Sequence, residues 1–127
     1  MESIRRKYPC PCCGYLVFDE SPGSYDICPI CFWEDDLSQL RFPMTTGANQ
    51  VGLIEAQENY VRNGVCEPTL ISYVRLPAES DVRDAEWRPI DTGRDNIETS
   101  DDGVDYGKTY PSDYTRLYYW RDTYWRR

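Results

Sequence analysis

The chain has no histidine among its 127 residues. That absence removes a Ser-His-Asp or Cys-His nucleophile arrangement, a histidine general base and a histidine metal ligand at one stroke. It also lacks the glycine-lysine pattern of a phosphate-cradling loop and the triple-glycine fingerprint of a dinucleotide site. No long apolar run follows the charged residues 1–7, which argues against a secretory signal or membrane anchor and for a cytoplasmic location. Positive charge is scarce as well. Fourteen Lys and Arg stand against 22 Asp and Glu, giving a formal net charge of −8 and a sequence pI near 4.5. Affinity for nucleic acid rests largely on neutralising phosphates, so a polyanion is a poor partner for this chain. The basic clusters are only Arg5-Arg6-Lys7 and Arg126-Arg127.

What the chain does have is six cysteines, five of them between residues 8 and 33. They form two matching hooks, Cys10-Pro11-Cys12-Cys13-Gly14 and Cys28-Pro29-Ile30-Cys31. Each hook offers a pair of thiols with two residues between them, the short ligand spacing of a structural zinc site. Two thiolates so spaced reach one ion when the backbone between them turns tightly and aims its amide N–H groups at the sulfurs. Proline after the first cysteine presets φ for that turn, and Gly14 supplies a position that tolerates positive φ. The fourteen residues between Cys13 and Cys28 fall just short of the usual window for paired hooks. Cys10, Cys13, Cys28 and Cys31 are therefore the candidate ligands, for one Zn²⁺ per chain or, as runner-up, a single iron of the rubredoxin kind. Disulfides are the competing use of six cysteines, but they require export, and the cytosol keeps thiols reduced. Cys12 and Cys66 are spare. Cys12 should point away from the ion and is a possible redox thiol, whereas Cys66 reads as a small buried hydrophobe.

Between the hooks, residues 15–18 read as a strand, Pro22-Gly23 as a turn and residues 25–27 as a returning strand. That hairpin would bring the second hook beside the first.

The run Tyr-Pro-Cys-Pro-Cys-Cys-Gly at 8–14, the run Cys-Pro-Ile-Cys-Phe-Trp-Glu-Asp-Asp at 28–36, and Gly-Ala-Asn at 47–49 before a short helix resemble the bacterial cysteine-rich CPCC family. The resemblance extends from residue 8 to about residue 90. It implies a small zinc-ribbon-like domain, supports a ligand role for Cys10, Cys13, Cys28 and Cys31, and supplies no catalytic residues.

The acidic run Glu34-Asp35-Asp36 reads as solvated surface rather than a hard-cation site. Residues 49–63 give the best helix of the front half, capped by Gly52 or Asn49 and stopped by Gly64. Its stripe of Leu53, Ala56 and Tyr60, with Ile54, Gln57 and Val61 alongside, should lie on the ribbon. Residues 69–76 read as a strand or as a helical turn running on from Glu67-Pro68. Glu79 to Asp105 holds ten carboxylates against Arg83, Arg88 and Arg94, nearly the whole net charge, and from Asp91 onward it reads as an exposed acidic loop. From Tyr110 an aromatic helix begins, with Ser112 as N-cap.

The expected fold is a small α+β domain: a zinc-ribbon-like hairpin, one packed helix and a C-terminal aromatic helix. Its segments are a tail at 1–7, the cysteine-rich module at 8–42, a helix and extended segment at 43–90, the acidic loop at 91–109 and the aromatic helix at 110–127. A site with four protein thiolates has no open position for a catalytic water, which points away from an enzyme. The expectation is a zinc-stabilised module that binds another protein, one of basic character, as a nuclease toxin's immunity protein does. Asp101, Asp102 and Asp105 would steer that partner, and Tyr118, Trp120, Tyr124 and Trp125 would anchor it. The alternatives are a thiol-redox or rubredoxin-like iron protein and, third, a zinc ribbon associated with nucleic acid.

Overall fold

A computed structural model describes residues 7–99 and 109–126. It shows a small α+β fold with little regular structure. Strand β1 (Tyr8–Pro9) pairs antiparallel with β2 (Leu16–Phe18), Tyr8 facing Phe18 and Pro9 facing Leu16 across an irregularity. Helix α1 (Leu37–Arg41) and helix α2 (Leu53–Asn63) follow, then two 3₁₀ helices at Pro68–Tyr73 and Tyr114–Leu117. Among the described residues no helix is long and apolar enough to cross a membrane.

The hairpin differs from the expected one. Residues 15–18 do form a strand, but its partner lies upstream of the first hook, so the hook itself is the hairpin's turn. Residues 25–27 turn back on the second hook instead, where Ile27 bridges Glu34. Each hook thus closes its own small hairpin, because the tight turn that brings two thiols together also reverses the chain.

Helix α1 begins where Asp36 accepts hydrogen bonds from the Ser38 and Gln39 amides. The acidic run is therefore not solvated surface. Asp35 and Asp36 are buried, and Asp35 accepts from the amide and hydroxyl of Ser24 at 3.2 and 2.7 Å. Asp36 reaches across to the Ala48 amide as well (2.9 Å). Buried carboxylates survive here because every one of these contacts is a donor aimed at the negative charge.

Gly52 caps α2 and Gly64 ends it in the left-handed conformation, its amide bonding the Tyr60 carbonyl. The helix buries Leu53, Ala56, Gln57 and Asn59, whereas Val61 is turned outward. Asn49 does not cap. Its side chain bonds the Glu34 amide and carbonyl and the Gln39 side chain, tying the Gly-Ala-Asn turn to the second hook. The segment after Pro68 takes the helical of its two expected forms, as a 3₁₀ helix with the proline in its first turn.

The C-terminal aromatic helix is reduced to the single turn Tyr114–Leu117, capped by Asp113 rather than Ser112. Leu117, Tyr118, Tyr119 and Trp120 are all buried, and so is Tyr124. An α-helix advances about 100° per residue and cannot aim four consecutive side chains into one core. The chain instead wraps the domain in turns. Tyr118 stacks on Trp120 with ring centres 4.7 Å apart, and Tyr119 meets Trp120 edge-on at 4.8 Å. These residues pack in one cluster with the cysteines, Ile30, Trp33, Leu53 and Ala56. The cysteine hooks sit in the core, and the C-terminal segment covers them.

Candidate metal centre

Both hooks have the same backbone. In the first, the Gly14 amide bonds the Cys10 carbonyl at 2.6 Å and the Cys10 amide bonds the Tyr15 carbonyl at 2.9 Å. In the second, the Phe32 amide bonds the Cys28 carbonyl at 2.8 Å and the Cys28 amide bonds the Trp33 carbonyl at 2.9 Å. The residue after each hook's last cysteine has positive φ, +85° at Gly14 and +72° at Phe32. Glycine was legible at that position in the sequence. The aromatic residue was not, since a side chain resists left-handed backbone.

Facing one another, the hooks place the sulfurs of Cys10, Cys13, Cys28 and Cys31 all within 4.8 Å of each other, with all four residues buried. Cys10 Sγ lies 3.5 Å from Cys31 Sγ, and Cys13 Sγ lies 3.7 Å from Cys28 Sγ. Four sulfurs arranged tetrahedrally at about 2.3 Å from an ion would stand about 3.8 Å apart. The donor set fits a metal in both chemistry and spacing. The Ile30 amide approaches Cys28 Sγ at 3.4 Å, an N–H aimed at a ligand sulfur as the turn geometry requires.

Burial pushes the Cys10 and Cys31 thiols well above their ordinary range, whereas Cys28 is pulled far below it by hydrogen bonds from Cys10, Cys13 and Cys31. Thiols crowded out of water in this way depend on one another's hydrogen bonds. A bound dication deprotonates coordinating thiols outright and replaces that arrangement.

Cys12 and Cys66 are buried but stand outside the four-sulfur group. Burial pushes both thiols up. A buried Cys12 lacks the access that redox chemistry needs, so its surroundings give the redox reading no support. Cys66 ties the second hook to α2 through its backbone, its amide bonding the Cys31 carbonyl at 2.8 Å and its carbonyl accepting from Asn59 Nδ2 at 2.8 Å.

Around this centre lies a supporting layer that spacing did not reveal. Gln57 on α2 donates to the Pro11 carbonyl at 2.9 Å and to the Tyr119 hydroxyl at 2.8 Å, and accepts from the Ile90 amide at 2.9 Å. Trp87 donates from Nε1 to the same Pro11 carbonyl at 3.0 Å. Arg83 donates from Nε to the Cys13 carbonyl at 2.8 Å and lies over the rings of Tyr15 and Trp87. Gln57 lies on the α2 face expected to pack there, whereas Arg83 and Trp87 come from a stretch with no hydrophobic period, and only the fold brings them to the hook.

Of the expected partner residues, the four aromatics lie among the described residues. Tyr118, Trp120 and Tyr124 are buried within the chain's own core, Trp125 is half-buried, and Asp101, Asp102 and Asp105 lie outside the described residues. The first three aromatics therefore present no face to a partner. Trp120 Nε1 instead donates to Asp84 (3.1 Å), beside the Arg121 guanidinium (2.8 Å).

The model of the cysteine-rich CPCC family matches residues 8–81, more than half of the chain, and the chain belongs to that family. No curated protein matches it. The matched segment holds all four clustered cysteines and ends just before Arg83 and Trp87.

Proposed function

We propose that this member of the cysteine-rich CPCC family is a non-enzymatic, zinc-stabilised module that binds a basic protein. The observation that carries the metal reading is the set of four buried thiols at tetrahedral spacing. Zn²⁺ suits four thiolates, has no redox chemistry of its own, and in such a closed site binds no catalytic water. Its effect is to hold the two hooks together and so to nucleate the core around them. Iron in the same four thiolates is the runner-up, and colour separates the two. The purified chain should be colourless and carry one zinc, and a red chromophore with iron in metal analysis would replace zinc.

The partner reading rests on the net charge of −8, most of it between Glu79 and Asp105. Such a field speeds encounter with a positive surface and repels polyanions. A pull-down from the source organism's lysate should return a basic protein whose association slows as salt rises. Recovery of nucleic acid, with sub-micromolar binding in a gel-shift assay, would overturn this part of the proposal.

A further inference from the structure

Phe32 occupies the position that glycine holds in the first hook, and it holds the left-handed backbone, φ +72°, despite its side chain. The two positions differ in what surrounds them. At Gly14 the space over the backbone is filled by Trp87. At Phe32 it opens to the surface, where the ring is half-buried and meets the exposed ring of Tyr73 at 5.5 Å between centres. Backbone strain of this kind persists only where the surrounding structure holds it, and it clusters at binding and switch sites.

Next to the ring is a pocket of about 140 Å³ whose apolar walls include Phe32, Val51, Cys66 and Leu70, with the polar Asn49 and Gln50 also in its lining. That is too small for a cofactor or a drug-sized ligand and large enough for a side chain. The charged residues at its edge are both carboxylates, Glu34 and Glu67. Beyond it the 3₁₀ helix and its continuation expose Ile71, Tyr73 and Leu76 at 52, 66 and 84%. The nearby cation Arg75 is already held by Asp81 at 2.7 Å, which leaves the rim negative.

We infer that this face is where the module receives its partner: an aliphatic side chain of a basic protein, flanked by Lys or Arg, enters the pocket between Phe32 and Leu70 while its cations meet Glu34 and Glu67. Apolar walls supply the burial and the carboxylate rim supplies orientation, the division of labour of a protein-binding hot spot. This assignment rests on the protein-binding reading above and places the contact away from the C-terminal aromatics, which the core has absorbed.

The test uses the zinc-loaded full chain and three capped synthetic peptides, Lys-Lys-Leu-Lys-Lys, Lys-Lys-Gly-Lys-Lys and Glu-Glu-Leu-Glu-Glu, followed by amide chemical shifts. The first should produce saturable shifts at Phe32, Val51 and Leu70, and the other two should bind at least ten-fold more weakly. Phe32→Gly keeps a residue that suits positive φ, so it should retain zinc while weakening the first peptide at least ten-fold. Glu67→Lys, which leaves the pocket walls in place, should weaken it as well. Unchanged affinity in both variants would overturn the site. Shifts confined to the separate groove of Ile54, Val61 and Ile90 would overturn the site and keep the acidic module. If no peptide binds anywhere and the lysate yields no basic protein, both fall.

Discussion

The indole of Trp87 lies against the bare backbone of Gly14, so closely that a Cβ on that glycine would stand 2.6 Å from Trp87 Cδ2. A residue outside the family match thereby seals the first metal hook, and Gly14 is required both for its φ and for its missing side chain. Gly14→Ala should destabilise the metal-loaded chain by about 2 kcal/mol or more, from left-handed strain plus displacement of the indole. Denaturant unfolding checks this. A loss below about 0.5 kcal/mol, the scale of an ordinary surface change, would contradict the sealing role.

Arg83 should matter to the metal through the Cys13 carbonyl. Its cation lies beside a site whose thiolates outnumber the charge on a dication, and it is held there by Tyr15 and Trp87. Arg83→Gln should lower zinc affinity on the order of ten-fold, as removal of an outer hydrogen bond to a metal site does. Competition with a chromophoric chelator measures it, and unchanged affinity would make Arg83 a packing residue only.

Arg41 is a buried cation in the last turn of α1. Its guanidinium grips both oxygens of Glu98 at 2.9 and 3.1 Å, donates to the Thr109 carbonyl at 2.9 Å, and lies 4.5 Å from the Tyr110 ring centre and 4.9 Å from that of Trp125. One side chain therefore ties together both flanks of residues 99–108. Arg41→Met should cost about 3–5 kcal/mol because Glu98 is left without its charge partner. Arg41→Lys should recover only part, since an ammonium reproduces neither the fork nor the stacking. Full recovery by lysine in thermal unfolding would show that charge alone is at work.

Stability should also fall in acid through Asp95. Hydrogen bonds from Arg88 at 2.6 and 2.8 Å hold its carboxyl below the usual carboxylate range. A carboxyl whose pKa is lower in the folded state stabilises above its unfolded value of about 3.9 and loses that contribution as pH falls through the folded one. Asp95→Asn should therefore be less stable than wild type by about 1–2 kcal/mol at pH 7, the scale of a charge-assisted pair, with the gap closing below about pH 4. Because acid removes metal from both proteins, the difference between them is the quantity to follow. A gap that stays constant with pH would contradict the ionic account.

The four-cysteine cluster was legible because Cys10 with Cys13 and Cys28 with Cys31 write the short spacing of a metal-donor pair directly into the chain. Helix α2 was legible too, from its glycine stops and apolar stripe. Strand pairing was not. Tyr25 and Ile27 have strand-like composition, but the hooks reverse the chain locally and take β-type partners on their own flanks. The carboxylates of Asp35 and Asp36 look like any acidic run until Ser24, Ser38 and Ala48 arrive as donors. At the C-terminus, Tyr118, Tyr119 and Trp120 gave an aromatic helix by composition. Four consecutive buried side chains, Leu117 included, required turns instead.

Native mass spectrometry of the chain and its single serine variants tests the central claim most directly, that four of six cysteines hold one zinc. Wild type should carry one Zn²⁺, Cys12→Ser and Cys66→Ser should keep it, and Cys10→Ser, Cys13→Ser, Cys28→Ser and Cys31→Ser should each lose it together with the folded core. A metal-free wild type, or equal loss from the Cys12 and Cys13 variants, would contradict the four-thiolate centre.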